Sequence, residues 1–348
     1  MKVTIDGHTI EVEAGTTVLQ AARMIGGDCV PPTMCYYSKL KQTGGKCRCC
    51  LVEVNKGSEK DPRPMPKLQP SCITTVQDGM EVKSATSERA VKARKAIAEL
   101  LLINHPLDCP VCDQAGECDL QDLAYHTKSF KSRFVEKKET FGKEDIGPYI
   151  EQNKNRCVVC YRCLRVADQL TPERVHGVIN RGDHSEISTY IKKAIDNDFS
   201  GNMIDVCPVG ALTDKTAKFE SRTWFAKPYN AHRSCSKCEG KAVLWMFGDE
   251  IYRVSAPKDE YHEAENFICN ECRFDHKNIG DWTVDGVRKF QRLSVNNVNN
   301  YSGTLNKVQL NMDELPLKGR PQDREKISMQ DFPFKETELK QIKKADEE

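Results

Sequence analysis

The sequence holds 17 cysteines in 348 residues, and most of them fall into four groups spaced as metal ligands are. The third group is the most specific. Cys157, Cys160 and Cys163 form C-x2-C-x2-C, and a remote Cys207 is followed by Pro208. Thiolates at this spacing take three irons of a [4Fe–4S] cubane, and a distant Cys-Pro supplies the fourth ligand. The proline stops a helix and turns the chain around the cluster. A zinc knuckle uses pairs of cysteines, so the triplet disfavours zinc. Where two cubanes lie together the remote Cys can serve the other one, so Cys207 could also join the second group.

That second group is His105, Cys109, Cys112 and Cys118, in HPLDCPVCDQAGECDLQ. C-x2-C-x5-C fits three corners of a cubane, and His105 is a candidate for the fourth, because imidazole is an accepted iron ligand that raises the potential. The competing reading makes His105 a cap on the preceding helix. In the first group, Cys47 and Cys50 follow a Gly44-Gly45-Lys46 loop, with Cys35 upstream and Cys72 downstream. A [2Fe–2S] centre needs four thiolates, two per iron, and glycines let the backbone come close. A structural zinc is the alternative. The fourth group, Cys235, Cys238, Cys269 and Cys272, is two C-x2-C pairs about thirty residues apart. That is the zinc-ribbon pattern, with a further [4Fe–4S] cluster as the alternative. Cys29 and Cys49 are left over, and Cys49 should point away if Cys47 and Cys50 point inward.

Elements must hold these groups in place. Val3, Ile5, Ile10 and Val12 alternate around Asp6-Gly7 and predict a hairpin. Val18, Ala21, Ala22 and Ile25 predict a helix stopped by Gly26-Gly27. Leu51–Val54 and Met80–Lys83 read as strands. A second helix starts near Ser87, buries Ala90, Ala93, Ile97, Leu100 and Leu101, and ends at His105-Pro106. This order is α+β. From about residue 290 cysteine disappears and apolar periodicity is lost, which predicts an extended or disordered tail ordered by a partner.

Composition narrows the class. Lys plus Arg (52) and Asp plus Glu (51) nearly cancel, so no nucleic-acid surface is implied. The N-terminus reads straight into a strand with no signal core, and the most apolar stretch, Ile97–Ile103, is far too short to span a bilayer. A soluble protein in a reducing compartment is expected, with membrane association only through partner subunits. No G-x-G-x-x-G follows a strand, so neither NAD nor flavin is expected in this chain.

The segments HPLDCPVCDQAGECDLQD, NRCVVCYRCLRVADQL and GNMIDVCPVGALTDK closely resemble the large iron–sulfur subunit of respiratory complex I (the G polypeptide in bacteria, the 75 kDa subunit in mitochondria), over about residues 1–275. The resemblance implies an N-terminal β-grasp [2Fe–2S] ferredoxin domain held by Cys35, Cys47, Cys50 and Cys72. It implies a [4Fe–4S] cluster on His105, Cys109, Cys112 and Cys118, and another on Cys157, Cys160, Cys163 and Cys207. It therefore favours His105 as a ligand and places Cys207 with the third group. Some bacterial members carry a further cluster on C-x2-C-x3-C and a distant Cys. Here Cys235, Cys238 and Cys269 fit, the third position falls on Ala242, and Cys272 is extra. The site is thus zinc or a rearranged cluster. The family usually continues into a large molybdopterin-oxidoreductase-like domain, and this sequence ends soon after that domain would begin.

The implied layout is a ferredoxin domain over 1–85, then a [4Fe–4S] segment with one histidine and three cysteine ligands over 86–126. A ferredoxin-like [4Fe–4S] domain over 127–222 comes next, then a four-cysteine remnant of the molybdopterin-oxidoreductase N-terminal domain over 223–285, and a tail over 286–348. The implied role is a non-catalytic electron wire from a partner flavin/NADH-binding subunit toward quinone-side subunits, peripheral on the cytoplasmic face of a bacterial inner membrane. Competing readings are the diaphorase iron–sulfur subunit of a soluble NAD-linked hydrogenase or formate dehydrogenase, and a zinc scaffold without redox chemistry. A catalytic iron-only hydrogenase begins similarly but would need a long cysteine-bearing C-terminal domain.

Overall fold

A computed structural model describes residues 1–41, 44–129, 131–142, 144–170, 176–189, 194–195 and 197–288. The expected tail therefore lies outside the described residues, except for 286–288.

The first layer is built on β1 (Lys2–Ile5), β2 (His8–Glu11), α1 (Val18–Ile25), β3 (Leu51–Lys56), β4 (Gln69–Pro70) and β5 (Met80–Lys83). The sheet order is β2-β1-β5-β3-β4, with β1 parallel to β5 and the other pairs antiparallel. Asp6 (φ 49) and Gly7 (φ 89) both take the left-handed turn that suits a two-residue hairpin. The Asp6 carboxylate also accepts hydrogen bonds from the Ser84 and Ala85 backbone N–H groups at 2.8 and 2.9 Å. Thr17 and Gln20 close a capping box at the start of α1, and Gly26 (φ 80) ends the helix. Val18, Ala21 and Ala22 of the helix pack on Val3, Ile5, Val54 and Val82 of the sheet. Each fully buried Val or Ile there stabilises by about 1.5–3 kcal/mol. One helix laid across a mixed sheet with parallel β1 and β5 is the β-grasp arrangement.

α2 (Glu88–Leu102) follows, with Ser87 as its N-cap. The expected buried stripe needs correction. Its fully buried residues are Ala90, Arg94 and Ala98, whereas Leu100 is 60% exposed. Arg94 turns the helix onto the sheet because its guanidinium donates to the Leu51 carbonyl (2.8 Å) and the Ser84 hydroxyl (2.9 Å).

Next come α3 (Asp119–His126), β6 (Ile150–Gln152), α4 (Arg162–Leu170), β7 (His176–Ile179), β8 (Glu186–Thr189), α5 (Asn202–Val206) and β9 (Leu212–Asp214). β6 pairs with β9 and β7 with β8, both antiparallel. The last layer is an antiparallel sheet, order β12-β11-β10-β13, made by β10 (Lys227–His232), β11 (Lys241–Phe247), β12 (Glu250–Ser255) and β13 (Thr283–Val287). One apolar core runs from Met34 and Tyr37 through Leu164, Met203 and Val206 to Leu244 and Ile268. Buried ion pairs stitch the layers. Arg23 meets Glu263 at 2.8 Å, Arg253 meets Glu117 at 2.5 Å, and Arg273 meets Asp205. Among the described residues no helix is long and apolar enough to cross a membrane.

Candidate metal centres

Every cysteine of the four groups is a free thiol, and each group converges at a loop–element junction. In the first, Cys35 comes from the loop after α1, Cys47 and Cys50 from the loop entering β3, and Cys72 from just past β4. The thiols interact in a row, Cys47 with Cys35, Cys35 with Cys72, and Cys72 with Cys50. Two pairs joined edge to edge suit two bridged irons. Hydrogen bonds from Cys47 and Cys72 hold the Cys35 thiol far below its ordinary range, and the same contacts make the protons of Cys47 and Cys72 harder to remove. The pocket tolerates one thiolate by itself. Four need a cationic group among them.

The spare thiols are core residues. The Cys29 thiol reaches the Ile5 carbonyl at 3.8 Å, and burial, then the charges of Asp6 and Asp28, push it up to about 11. Cys49 packs into the large core and points at the Cys47 carbonyl, 3.8 Å away.

In the second group, Cys109 opens a short helical turn, Cys112 ends it, and Cys118 caps α3. His105 does not cap α2. Lys138 does that, donating to the carbonyls of Leu102 (3.3 Å) and His105 (2.6 Å). The His105 Nδ1 is buried with no hydrogen-bond partner among the described residues. Burial lowers its pKa to about 4, so the ring is neutral and offers a lone pair. A Cβ on Gly210 would lie 2.2 Å from the Cys112 sulfur, so only glycine leaves room there. Arg156, paired with Asp108 at 2.5 Å, places positive charge beside Cys112. An orphaned imidazole nitrogen and a glycine cradle fit a metal-bearing group.

In the third group, Cys157 and Cys160 sit on the loop before α4, Cys163 on its first turn, and Cys207 just after α5. Val159 (φ 51) and Tyr161 (φ 66) hold that loop in a conformation rare for such side chains. All four cysteines line one cavity with Val158, Val209, Ala211 and Leu212, with about 400 Å³ of atom-free space. Burial pushes Cys157 up to about 12 and Cys160 up to about 11, and it raises Cys207 as well. Buried thiols facing a common void fit a cluster whose irons favour thiolates.

In the fourth group, Cys235 and Cys238 lie in the β10–β11 loop, while Cys269 and Cys272 flank the start of a helical turn at Glu271–Asp275. Their four sulfurs all lie within 4.8 Å of one another, and among the described residues no other cysteine set packs as closely. Burial raises the Cys235 thiol, but backbone N–H groups of Lys237 and Cys238 outweigh it and bring it down to about 7.

The spatial order of the groups differs from their sequence order. Arg165 of α4 donates to the Cys35 carbonyl, and Lys46 sits 3.3 Å over the Tyr161 ring, so the first group abuts the third. Gly210, three residues past Cys207, touches Cys112, and the Asp119 N–H beside Cys118 donates to the Pro208 carbonyl at 2.9 Å. The third group therefore sits between the first and the second. Sequence reasoning missed Arg94, Arg165 and Arg273, whose buried guanidinium groups join the layers.

Three family descriptions match. They are a 2Fe-2S iron-sulfur cluster binding domain over residues 1–87, the NADH-ubiquinone oxidoreductase-G iron-sulfur binding region over 94–133, and the ferredoxin-like domain of NADH-quinone oxidoreductase subunit 3 over 147–213. The fourth group lies outside all three. The G polypeptide of NADH-quinone oxidoreductase from Rickettsia bellii is 40% identical over 294 residues, covering 84% of this chain and 40% of that protein. The mitochondrial 78 kDa subunit of NADH-ubiquinone oxidoreductase from Candida albicans is 44% identical over 296 residues, covering 84% of this chain and 38% of that one. The chain thus spans about two fifths of the length of the curated relatives it matches. A crystal structure of an NAD+-reducing [NiFe]-hydrogenase in the H2-reduced state aligns with TM-score 0.55 and 28% identity, over 64% of this chain and 90% of the hydrogenase chain. With its [2Fe–2S] and [4Fe–4S] regions in the same order as these relatives, the chain belongs to the family of the large iron–sulfur subunit of NADH–quinone oxidoreductase, the 75 kDa subunit of mitochondrial complex I.

Proposed function

We propose that this chain is an electron-carrying subunit of an NADH–quinone oxidoreductase. Cys35, Cys47, Cys50 and Cys72 hold a [2Fe–2S] cluster. Cys157, Cys160, Cys163 and Cys207 hold one [4Fe–4S] cluster, and His105, Cys109, Cys112 and Cys118 hold another. Bound clusters supply one-electron redox chemistry. The chain itself supplies ligands, burial and hydrogen bonds to sulfur, which set each potential.

The observation that carries the reading is the contiguity of the first, third and second groups. Electrons delivered by a partner flavin/NADH-binding subunit arrive on the β-grasp side, cross the α4–α5 region, and leave beside Cys109. Leu107, Val111, Phe219 and Trp224 are exposed around that second group, and they offer an apolar surface to a quinone-side partner. Contact with the membrane is made through those partners, on the cytoplasmic face in a bacterial cell. The domain layout that goes with this reading is 1–85, 86–126, 127–222 and 223–285, with 286–348 as the partner-ordered tail.

A second reading, the iron–sulfur arm of a soluble NAD-linked hydrogenase, draws on the alignment that covers 90% of a hydrogenase chain. Purification of the native assembly separates the two. Flavin and quinone-reactive subunits with quinone reductase activity support the first reading. A nickel-bearing partner without quinone reduction overturns it.

A further inference from the structure

The first three groups leave the fourth without a role, and its geometry differs from theirs. The Cys235–Cys269, Cys238–Cys269 and Cys238–Cys272 sulfurs are each 3.7 Å apart. A zinc ion with four thiolates at about 2.3 Å sets neighbouring sulfurs about 3.8 Å apart. A cubane carries its thiolates outward from four separate irons, which spreads them to roughly 6 Å or more. The cavity between these sulfurs has room for one ion and not for a cluster. The extra Cys272 and the Ala242 at the expected third ligand position have converted the spacing into two facing pairs.

The surroundings are those of thiolates rather than thiols. The backbone N–H groups of Lys237 and Gly240 donate to the Cys235 and Cys238 sulfurs at 3.4 Å, and that of Cys272 donates to Cys269 at 3.5 Å. Arg233 Nη1 lies 3.2 Å from the Cys272 sulfur. Each knuckle thus offsets part of the negative charge that four thiolates leave on a divalent ion. Gly240 (φ +68) makes the first knuckle possible, since a Cβ there would lie 1.9 Å from the Arg233 carbonyl oxygen.

From this geometry we propose that Cys235, Cys238, Cys269 and Cys272 bind a single tetrahedral zinc ion. Zinc has no redox couple under these conditions, so the site lies off the electron path. It pins the β10–β11 loop to the turn at Glu271–Asp275, and through the adjacent Arg273–Asp205 pair to α5, which precedes Cys207. The proposal does not need the electron-relay reading to be right.

The test is metal and acid-labile sulfide analysis of the full chain, produced with cluster assembly and purified without oxygen. One zinc per chain is expected, alongside about ten irons and about ten sulfides. Cys235→Ser with Cys238→Ser should lose that zinc and keep the irons. About fourteen irons and no zinc would mean a fourth cluster and overturn the proposal. About eleven irons with about ten sulfides would mean a lone iron, and would overturn it as well. So would zinc that survives the double substitution. If the double variant does not fold, cobalt exchanged into the wild-type chain decides the matter. The visible bands of tetrahedral cobalt thiolate support the site, and their absence refutes it. Zinc present with few irons would instead sink the relay reading and leave this one standing.

Discussion

At the third group the chain folds Cys157, Cys160, Cys163 and Cys207 around an enclosed, largely apolar void between α4, α5 and β9. At the fourth, Cys235, Cys238, Cys269 and Cys272 close on one another until their sulfurs nearly touch, at the edge of a sheet and beside charged Arg233 and Lys237. Both begin with C-x2-C. The difference lies in what carries the ligands. A triplet running into a helix spreads its thiols around a space, whereas two loops facing each other clamp a point. Cysteine spacing alone therefore cannot name the metal, and the elements that deliver the thiols can.

The largest test of this contrast removes one ligand from each side. Cys160→Ser or Cys207→Ala should cost about four irons per chain and abolish quinone reduction by the assembled complex. Cys238→Ser should leave both nearly unchanged. Equal iron losses in the two variants would erase the distinction between the sites.

A gentler pair of substitutions acts on space rather than on ligands. In Gly210→Ala the new methyl falls 2.2 Å from the Cys112 sulfur, and in Gly240→Ala it falls 1.9 Å from the Arg233 carbonyl oxygen. The first should lower iron and broaden the EPR signal of the His105 cluster without releasing zinc. The second should release zinc and leave every EPR signal in place.

A smaller effect isolates the histidine. His105→Cys should keep the cubane and shift its midpoint down by on the order of 100 mV, because imidazole ligation raises the potential. An EPR-monitored titration measures this. An unmoved midpoint would show that the ring is not a ligand, and would leave the orphaned Nδ1 without a role.

Much of the N-terminal layer is legible in the sequence because its signals are local. Asp6-Gly7 forces the hairpin, and Thr17 and Gly26 bracket α1. The ligand groups are legible for the same reason, since two or three members of each are close in the chain. What was not legible depends on long-range packing. The third group's place between the first and second follows from contacts such as Arg165 with the Cys35 carbonyl, 130 residues apart. Arg94 sits four residues from both Ala90 and Ala98, a spacing that could have marked a buried arginine. Apolar counting instead chose Leu100, which solvent reaches. No local feature announces that Arg273 will meet Asp205.

The mildest prediction concerns acid. His176 on β7 helps to cover the third group, since β7 packs against α4. It is 1% exposed, and neither ring nitrogen has a hydrogen-bond partner among the described residues. Burial lowers its pKa from 6.5 to about 4, with the opposed charges of Glu144 and Lys154 nearby. The unfolded chain takes up the proton as pH falls through 6.5, while the folded chain refuses it until about pH 4. Stability from this residue is therefore intact above pH 6.5 and drains away between 6.5 and 4. A tenfold change in proton affinity corresponds to about 1.4 kcal/mol, so moving from pH 7 to about 5.5 should cost about 1 kcal/mol. His176→Leu should remove that slope without breaking a hydrogen bond. The fourth site has no comparable histidine, because the nearby His232 is half exposed and sits 2.8 Å from Asp285. Hydrogen exchange should accordingly quicken with acid on the β7–β8 hairpin and hold steady on β10–β11. A slope of the same size in both regions, or one that persists in His176→Leu, would mean that the enclosure of the third group is not what makes it acid-sensitive.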